Sequence, residues 1–248
     1  MKKNNLLYVS FGILIIIFVW EIISFIVSPA LFPDFFISLG NMFKMLFTTS
    51  IILDVLFSLL RVLISFILGL IIGVSLGIIS GINKKSEYIL LPMMTLIKAV
   101  PTIAFILLFM IYFKYSYIYV LTLLIVPIIY HATSHEIFMN NQKYKSIFIL
   151  RSGKTDLYSI FKVLLPASSV QIVNSFIQSF SLGIKAQVLV ESFAYTSSFR
   201  GLGKQIYLSF QNSNIQKMIS LIIFIILFSL LVDLGLTKLK KKIMTITN

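Results

Sequence analysis

The sequence predicts an all-α, polytopic membrane protein of about six crossings. Three observations carry that expectation. Of the 248 residues, 58% are hydrophobic and 12% are charged, and the mean hydropathy is +1.01; soluble domains hold a more even balance. Apolar runs long enough to cross a bilayer, about 20 residues each, recur along the chain. The charges gather at the ends of those runs, as membrane orientation requires.

Leu6–Ser28 is the first expected span. It follows the charged start MKKNN, as a signal peptide would, but it is too long for a signal's apolar core and no A-x-A site follows, so a retained span is expected. Pro29–Ser50, with Pro29, Pro33 and Asp34, is expected to fold against the outer surface. The remaining spans are 51–82, 88–113 (interrupted by Pro92 and Pro101), 117–138 (with Pro127 inside), 167–193 and 218–236. Together they make one transmembrane domain over residues 1–248.

Counting loops alternately, 13 cations fall on one side: Lys2, Lys3, Lys84, Lys85, the five of segment 143–166, and Lys238, Lys240, Lys241 and Lys242. Five fall on the other: Lys44, Lys114, Arg200, Lys204 and Lys217. The bias predicts cytoplasmic termini and a cytoplasmic 143–166 segment. It also accounts for the net charge of +13 without nucleic acid as a partner. With no cysteine, disulfides, thiolate metal sites and sulfur nucleophiles are excluded.

The segment KYKSIFILRSGKTDLYSIFKVLLP, residues 143–166, is the one long cationic stretch in the interior of the sequence, with Lys143, Lys145, Arg151, Lys154 and Lys162 against Asp156. It reads as two short helices at the membrane surface, hinged at Gly153. Thr155 is expected to cap the second helix, with Asp156 in its first turn, where the helix dipole favours an acid. Pro166 is expected to break the chain before the next span. Such a loop, between lipid-buried spans, is a docking surface for a partner outside the membrane.

Two helix faces stand out. Gly69, Gly73, Gly77 and Gly81 repeat at intervals of four, a stripe that lets another helix approach closely, within or between subunits. Gln171, Asn174, Gln178, Ser181 and Lys185 follow at spacings of three and four, a face of the fifth span that is polar throughout. Lipid does not tolerate such a face cheaply, so it looks at protein or water: a polar seam or a solute pathway with Lys185 open to an anion. Glu191 either pairs with Lys185 or anchors the outer end of the span. Lys98, three residues before Pro101, belongs to the pathway or to the structure, proline breaks being tolerated beside cavities or packed partners. Arg61, seven residues after Asp54, reads as a structural anchor. His131, His135 and Glu136 form H-x-x-x-H-E, a spacing able to share a metal, but no further histidine exists to complete a site. Gly201-Leu202-Gly203 lacks the Gly-Lys-Ser/Thr ending of a phosphate loop. No cofactor or metal is expected.

Gly153, followed after nine residues by Val163 and then Leu165-Pro166, resembles the G-x9-I-x-L-P part of the signature of bacterial ABC importer permeases. Ser58–Gly81, KAVPTIAF from Lys98 to Phe105, and Glu191 with Gly201-Leu202-Gly203 are similar, in order, to the nitrate/sulfonate/taurine type permeases of the inner membrane. The resemblance implies a type I permease fold, a homodimer, two ATPase copies and an extracytoplasmic substrate-binding protein. The implied solutes are small and include sulfonates, taurine, nitrate and vitamin precursors. It also implies ATPase-coupling roles for Lys145, Phe148, Ile149, Arg151, Gly153, Thr155, Asp156, Leu165 and Pro166, with Phe148 and its apolar neighbours inserting into the ATPase groove. Lys98, Pro101, Gln171, Asn174, Gln178, Ser181 and Lys185 are the expected pathway. Where the family carries Glu-Ala-Ala, this chain has Ile147-Phe148-Ile149, an apolar triplet suited to an apolar part of the groove. The alternatives are a membrane metalloenzyme using His131, His135 and Glu136, and an autonomous secondary transporter.

Overall fold

The computed structural model describes residues 3–113, 116–152, 155–193 and 200–247, and among these every regular element is helical. In order they are α1 (Lys3–Val27), α2 (Phe35–Leu46), α3 (Thr49–Ile82), α4 (Lys84–Ala99), α5 (Thr102–Tyr112), α6 (Ser116–Lys143), α7 (Lys145–Ser152), α8 (Leu157–Ser159), α9 (Leu165–Phe193), α10 (Leu202–Gln211) and α11 (Ile215–Thr247). Five described stretches are long and apolar enough to cross alone: 7–27, 49–82, 118–143, 157–193 and 215–238.

The stretch expected over 88–113, interrupted by Pro92 and Pro101, forms the broken pair α4 and α5, long enough to cross only when the two are taken together. The two helices meet at 96°. The cause is local: Pro101 has no N–H to donate, and its ring forces Val100 into an extended conformation, φ −71° and ψ 129°.

The packing is centred on α6. Gly69, Gly73, Gly77 and Gly81 of α3 face Ile125, Ile129, Thr133 and Ile137 of α6, a constant offset of 56 residues, so the two helices run parallel in register. A methyl placed on Gly77 would lie 2.6 Å from the Thr133 Cβ, and one on Gly73 would lie 2.9 Å from the Ile129 Cβ. The close approach needs glycine, as small-residue seams in membranes do. Beyond the glycines, Tyr130 hydrogen-bonds Ser80 across the same seam at 2.8 Å. On another side of α6, Val120 and Leu121 pack with Ile106 of α5 and with Ala186 and Val190 of α9.

The 29–50 stretch forms the amphipathic helix α2. Asp34 caps it, accepting from the Phe36 and Ile37 amides at 2.8 and 3.1 Å, and Met42 packs against Ile219 and Ile223 of α11. The C-terminal end of α1 is tied to it: Trp20 donates to the Pro33 carbonyl at 3.1 Å, and Glu21 accepts from the Phe35 amide at 3.2 Å.

Candidate coupling segment and translocation face

Segment 143–166 differs from the expected pair of hinged helices. The second helix does not stop at Pro166. From Leu157 it runs through a π-helical turn, Ile160–Leu164, directly into α9. In that turn the Leu165 amide donates to the Ile160 carbonyl, five residues back. The widened turn absorbs the proline that an ordinary α-turn would reject. The cap is also reassigned: Asp156 accepts from the Ser159 amide at 2.9 Å, while the Thr155 hydroxyl donates to Asn141 of α6 at 2.8 Å. Asp156, at the N-cap position, reaches its own helix, and Thr155, one residue earlier, binds the segment to α6 instead. Gly153 and Lys154, and with them the expected hinge, lie outside the described residues; so does the Arg151 side chain.

Phe148 corrects a second expectation. It does not project towards a partner but is 2% exposed, packed with Ile137 of α6 and Leu164. Leu165 packs half-buried against that cluster, and Ile78 and Ile82 of α3 join it. One residue of the apolar triplet therefore fastens α7 to the C-terminal ends of α3 and α6. Its neighbours Ile147 and Ile149 are exposed, as are Leu150, Leu157 and Phe161. Lys145 and Lys162 are exposed beside them, and Pro166 is exposed where α9 begins.

The polar stripe of α9 is only partly covered. Gln171, Gln178 and Lys185 are exposed, and Asn174 and Ser181 half-buried. One edge meets α11: Ser181 donates to Asp233 at 3.2 Å, and Lys240 donates to Asn174, which in turn donates to Gln171 at 2.9 Å. Lys98 and Pro101 lie exposed at the α4–α5 bend.

Lys185 does not pair with Glu191. Glu191, 1% exposed, is held by Arg61 at 2.7 Å. Its two oxygens also accept from Ser58 (2.8 Å to each), Gln187 (2.6 Å) and the Gly203 amide (3.0 Å). The Leu202 amide donates to Ser58 at 2.9 Å, and Arg61 reaches the Arg200 carbonyl at 2.5 Å. A buried carboxylate is tolerated when donors surround it in this way. Both glycines are required by contact: a Cβ on Gly201 would lie 2.4 Å from the Glu191 carboxyl carbon, and one on Gly203 would lie 2.1 Å from the Val188 carbonyl. Arg61 is thus an anchor whose partner is Glu191; Asp54 instead accepts from Gln205 at 2.6 Å. Sequence reading missed Ser58, Gln187 and this pairing. The available signal was Ser58 and Arg61, three apart and so on one face of α3.

His135 and Glu136 approach each other at 3.5 Å. Among the described residues no group of three His, Cys, Asp or Glu side chains converges to hold a metal.

Bent and straight apolar spans and a glycine-sealed parallel pair define a multi-pass membrane protein. Comparisons with known proteins narrow this. The family described as "Binding-protein-dependent transport system inner membrane component" matches residues 69–245. The chain belongs to that family and is a membrane translocation subunit of an ABC importer. Two solved structures of the MetNI methionine ABC transporter in inward-facing conformations share its fold. One has a TM-score of 0.68 at 15% identity, covering 77% of this chain and 95% of that one. The other has a TM-score of 0.66 at 15% identity, covering 78% and 95%. Among curated proteins no sequence matches.

Proposed function

We propose that two copies of this chain form the pathway of an importer for a small anionic solute, driven by a pair of ATPase subunits and fed by an extracytoplasmic binding protein. The observation that carries this reading is the polar stripe Gln171–Lys185, which its own protomer leaves uncovered at Gln171, Gln178 and Lys185. A second copy facing it would enclose a hydrated path, with Gln178 and Lys185 offering hydrogen bonds and charge to the solute. Lys98 and Pro101 would contribute from the α4–α5 bend.

The ATPases engage segment 143–166 from the cytoplasm, where the cation bias also puts both termini. The contact is made by Leu150, Leu157 and Phe161 with Ile147 and Ile149, and Lys145 and Lys162 form its rim. Phe148 acts one step behind, joining α7 to α3 and α6. Because Leu157 and Lys185 stand on one uninterrupted helical run, displacement of the docking surface on ATP-driven closure carries directly into the stripe. That is a physical route to alternating access.

The chain has no cysteine, which makes a clean test possible. Gln178→Cys should cross-link two copies in native membranes and protect that thiol when solute is supplied. Leu157→Asp should abolish recovery of an ATPase with the tagged permease. A cysteine at 178 that never cross-links and reacts only with lipid-soluble reagents sinks the pathway; an ATPase retained by Leu157→Asp sinks the docking assignment.

A further inference from the structure

We propose that the cleft between α3, α9 and α11 holds an acyl chain of an anionic phospholipid whose phosphate rests on Lys240. The cleft is about 460 Å³, well within the range of about 300–1,000 Å³ typical of small-ligand sites. Leu63 and Phe66 of α3, Phe176 and Phe180 of α9, and Leu236 and Lys240 of α11 line it. Its wall is preformed: the Phe66 ring meets Phe176 and Phe180 edge-on, at 6.0 and 5.1 Å between centroids. Such a wall offers a chain a fixed apolar surface.

The charge at one end selects the lipid. Lys240 lies one helical turn beyond Leu236, where the apolar run of α11 gives way to Thr237 and Lys238 in the sequence, a position suited to headgroup level. One of its N–H bonds goes to Asn174, leaving the others for an oxyanion. Lys238, Lys241 and Lys242 add positive charge around it in sequence, and the nearest acid on α11, Asp233, is seven residues back and hydrogen-bonded by Ser181. A second cleft supplies the contrast. Between α2 and α11 lies a space of about 410 Å³, lined by Met42, Phe224 and other wholly apolar side chains, with no cation among the lining residues. It suits acyl chains of any lipid, whereas the Lys240 cleft combines chain and charge. This inference does not depend on which solute is transported.

The single tryptophan, Trp20, allows a direct test. In a Trp20→Phe background, Phe176→Trp is reconstituted into bilayers containing phosphatidylglycerol or phosphatidylcholine brominated in the acyl chain. Half-quenching by the anionic lipid is expected at about fivefold lower mole fraction, the preference one lysine supplies at an anionic surface. Lys240→Gln should erase the difference and Lys240→Arg keep it. Equal quenching by both lipids would overturn the proposal, leaving ordinary lipid contact. Absence of quenching by either would also overturn it, the cleft then being covered by a second copy of the chain. If Phe176→Trp does not fold, native mass spectrometry of the unaltered chain decides the matter. Preferential retention of phosphatidylglycerol, lost in Lys240→Gln, supports the site, and no preference refutes it.

Discussion

Gly69–Gly81 on α3 and Gln171–Lys185 on α9 are both stripes drawn at helical spacing, yet they meet opposite fates. The glycine stripe is sealed within its own chain, every member against a side chain of α6. The polar stripe is left open over Gln171, Gln178 and Lys185. In a bilayer apolar surface does not drive helices together, since lipid is equally apolar; close packing and satisfied polar groups do. The sealed stripe therefore marks what holds the protomer together, and the open one marks what the protomer still requires. Within α9 the same contrast recurs over six residues, Glu191 being surrounded by donors and Lys185 exposed.

Substitutions can break this contrast or sharpen it. The largest expected effect is at Glu191: Glu191→Leu breaks its ion pair with Arg61 and removes the acceptor of Ser58, Gln187 and the Gly203 amide, and breaking a buried ion pair usually costs about 3–5 kcal/mol. It should appear as a large drop in unfolding temperature of the purified protein, with early proteolysis of the chain near Gly201. Next comes the seam. Gly77→Ala should cost about 1–3 kcal/mol by overpacking against Thr133. The double substitution Gly77→Ala with Thr133→Gly, which removes the Thr133 side chain that the new methyl would strike, should recover part of the lost stability. No recovery would mean that the seam is not limited by that contact. Least affected in stability are the open positions. Gln178→Ala and Leu157→Asp should stay within about 0.5 kcal/mol of the parent, as exposed substitutions do. Solute uptake should fall with the first and ATPase recovery with the second. A strongly destabilised Gln178→Ala would show that the stripe is already engaged inside one protomer.

The parts legible in the sequence were those that depend on near neighbours. Span lengths follow from apolar runs, and both stripes from helical spacing. What was not legible depends on partners distant in sequence or on which way a helix turns. Ile147-Phe148-Ile149 reads as a uniform apolar triplet, and only contact with Ile137 and Leu164 reveals that Phe148 alone turns inwards. Glu191 could be matched to Lys185 by proximity along the chain, but its true partner lies 130 residues away. At Pro166 a sound local rule, that proline ends helices, yielded to a neighbouring π-turn that no pattern of residue types announces. At Pro101 the same rule held, because no such turn precedes it and the chain bends by 96°.

The π-turn has a consequence of its own. A helix advances by about 100° per residue, so one extra residue in a single turn rotates everything before it relative to everything after. Leu157 precedes the turn and Phe161 lies at its start, while Gln171–Lys185 follow it. The azimuth of the surface around Leu157 is thereby uncoupled from the azimuth of the polar stripe. A single insertion or deletion between Ile160 and Leu164 would re-aim one against the other without changing a side chain in either, so on the proposed coupling role the turn sets the angle between docking surface and pathway.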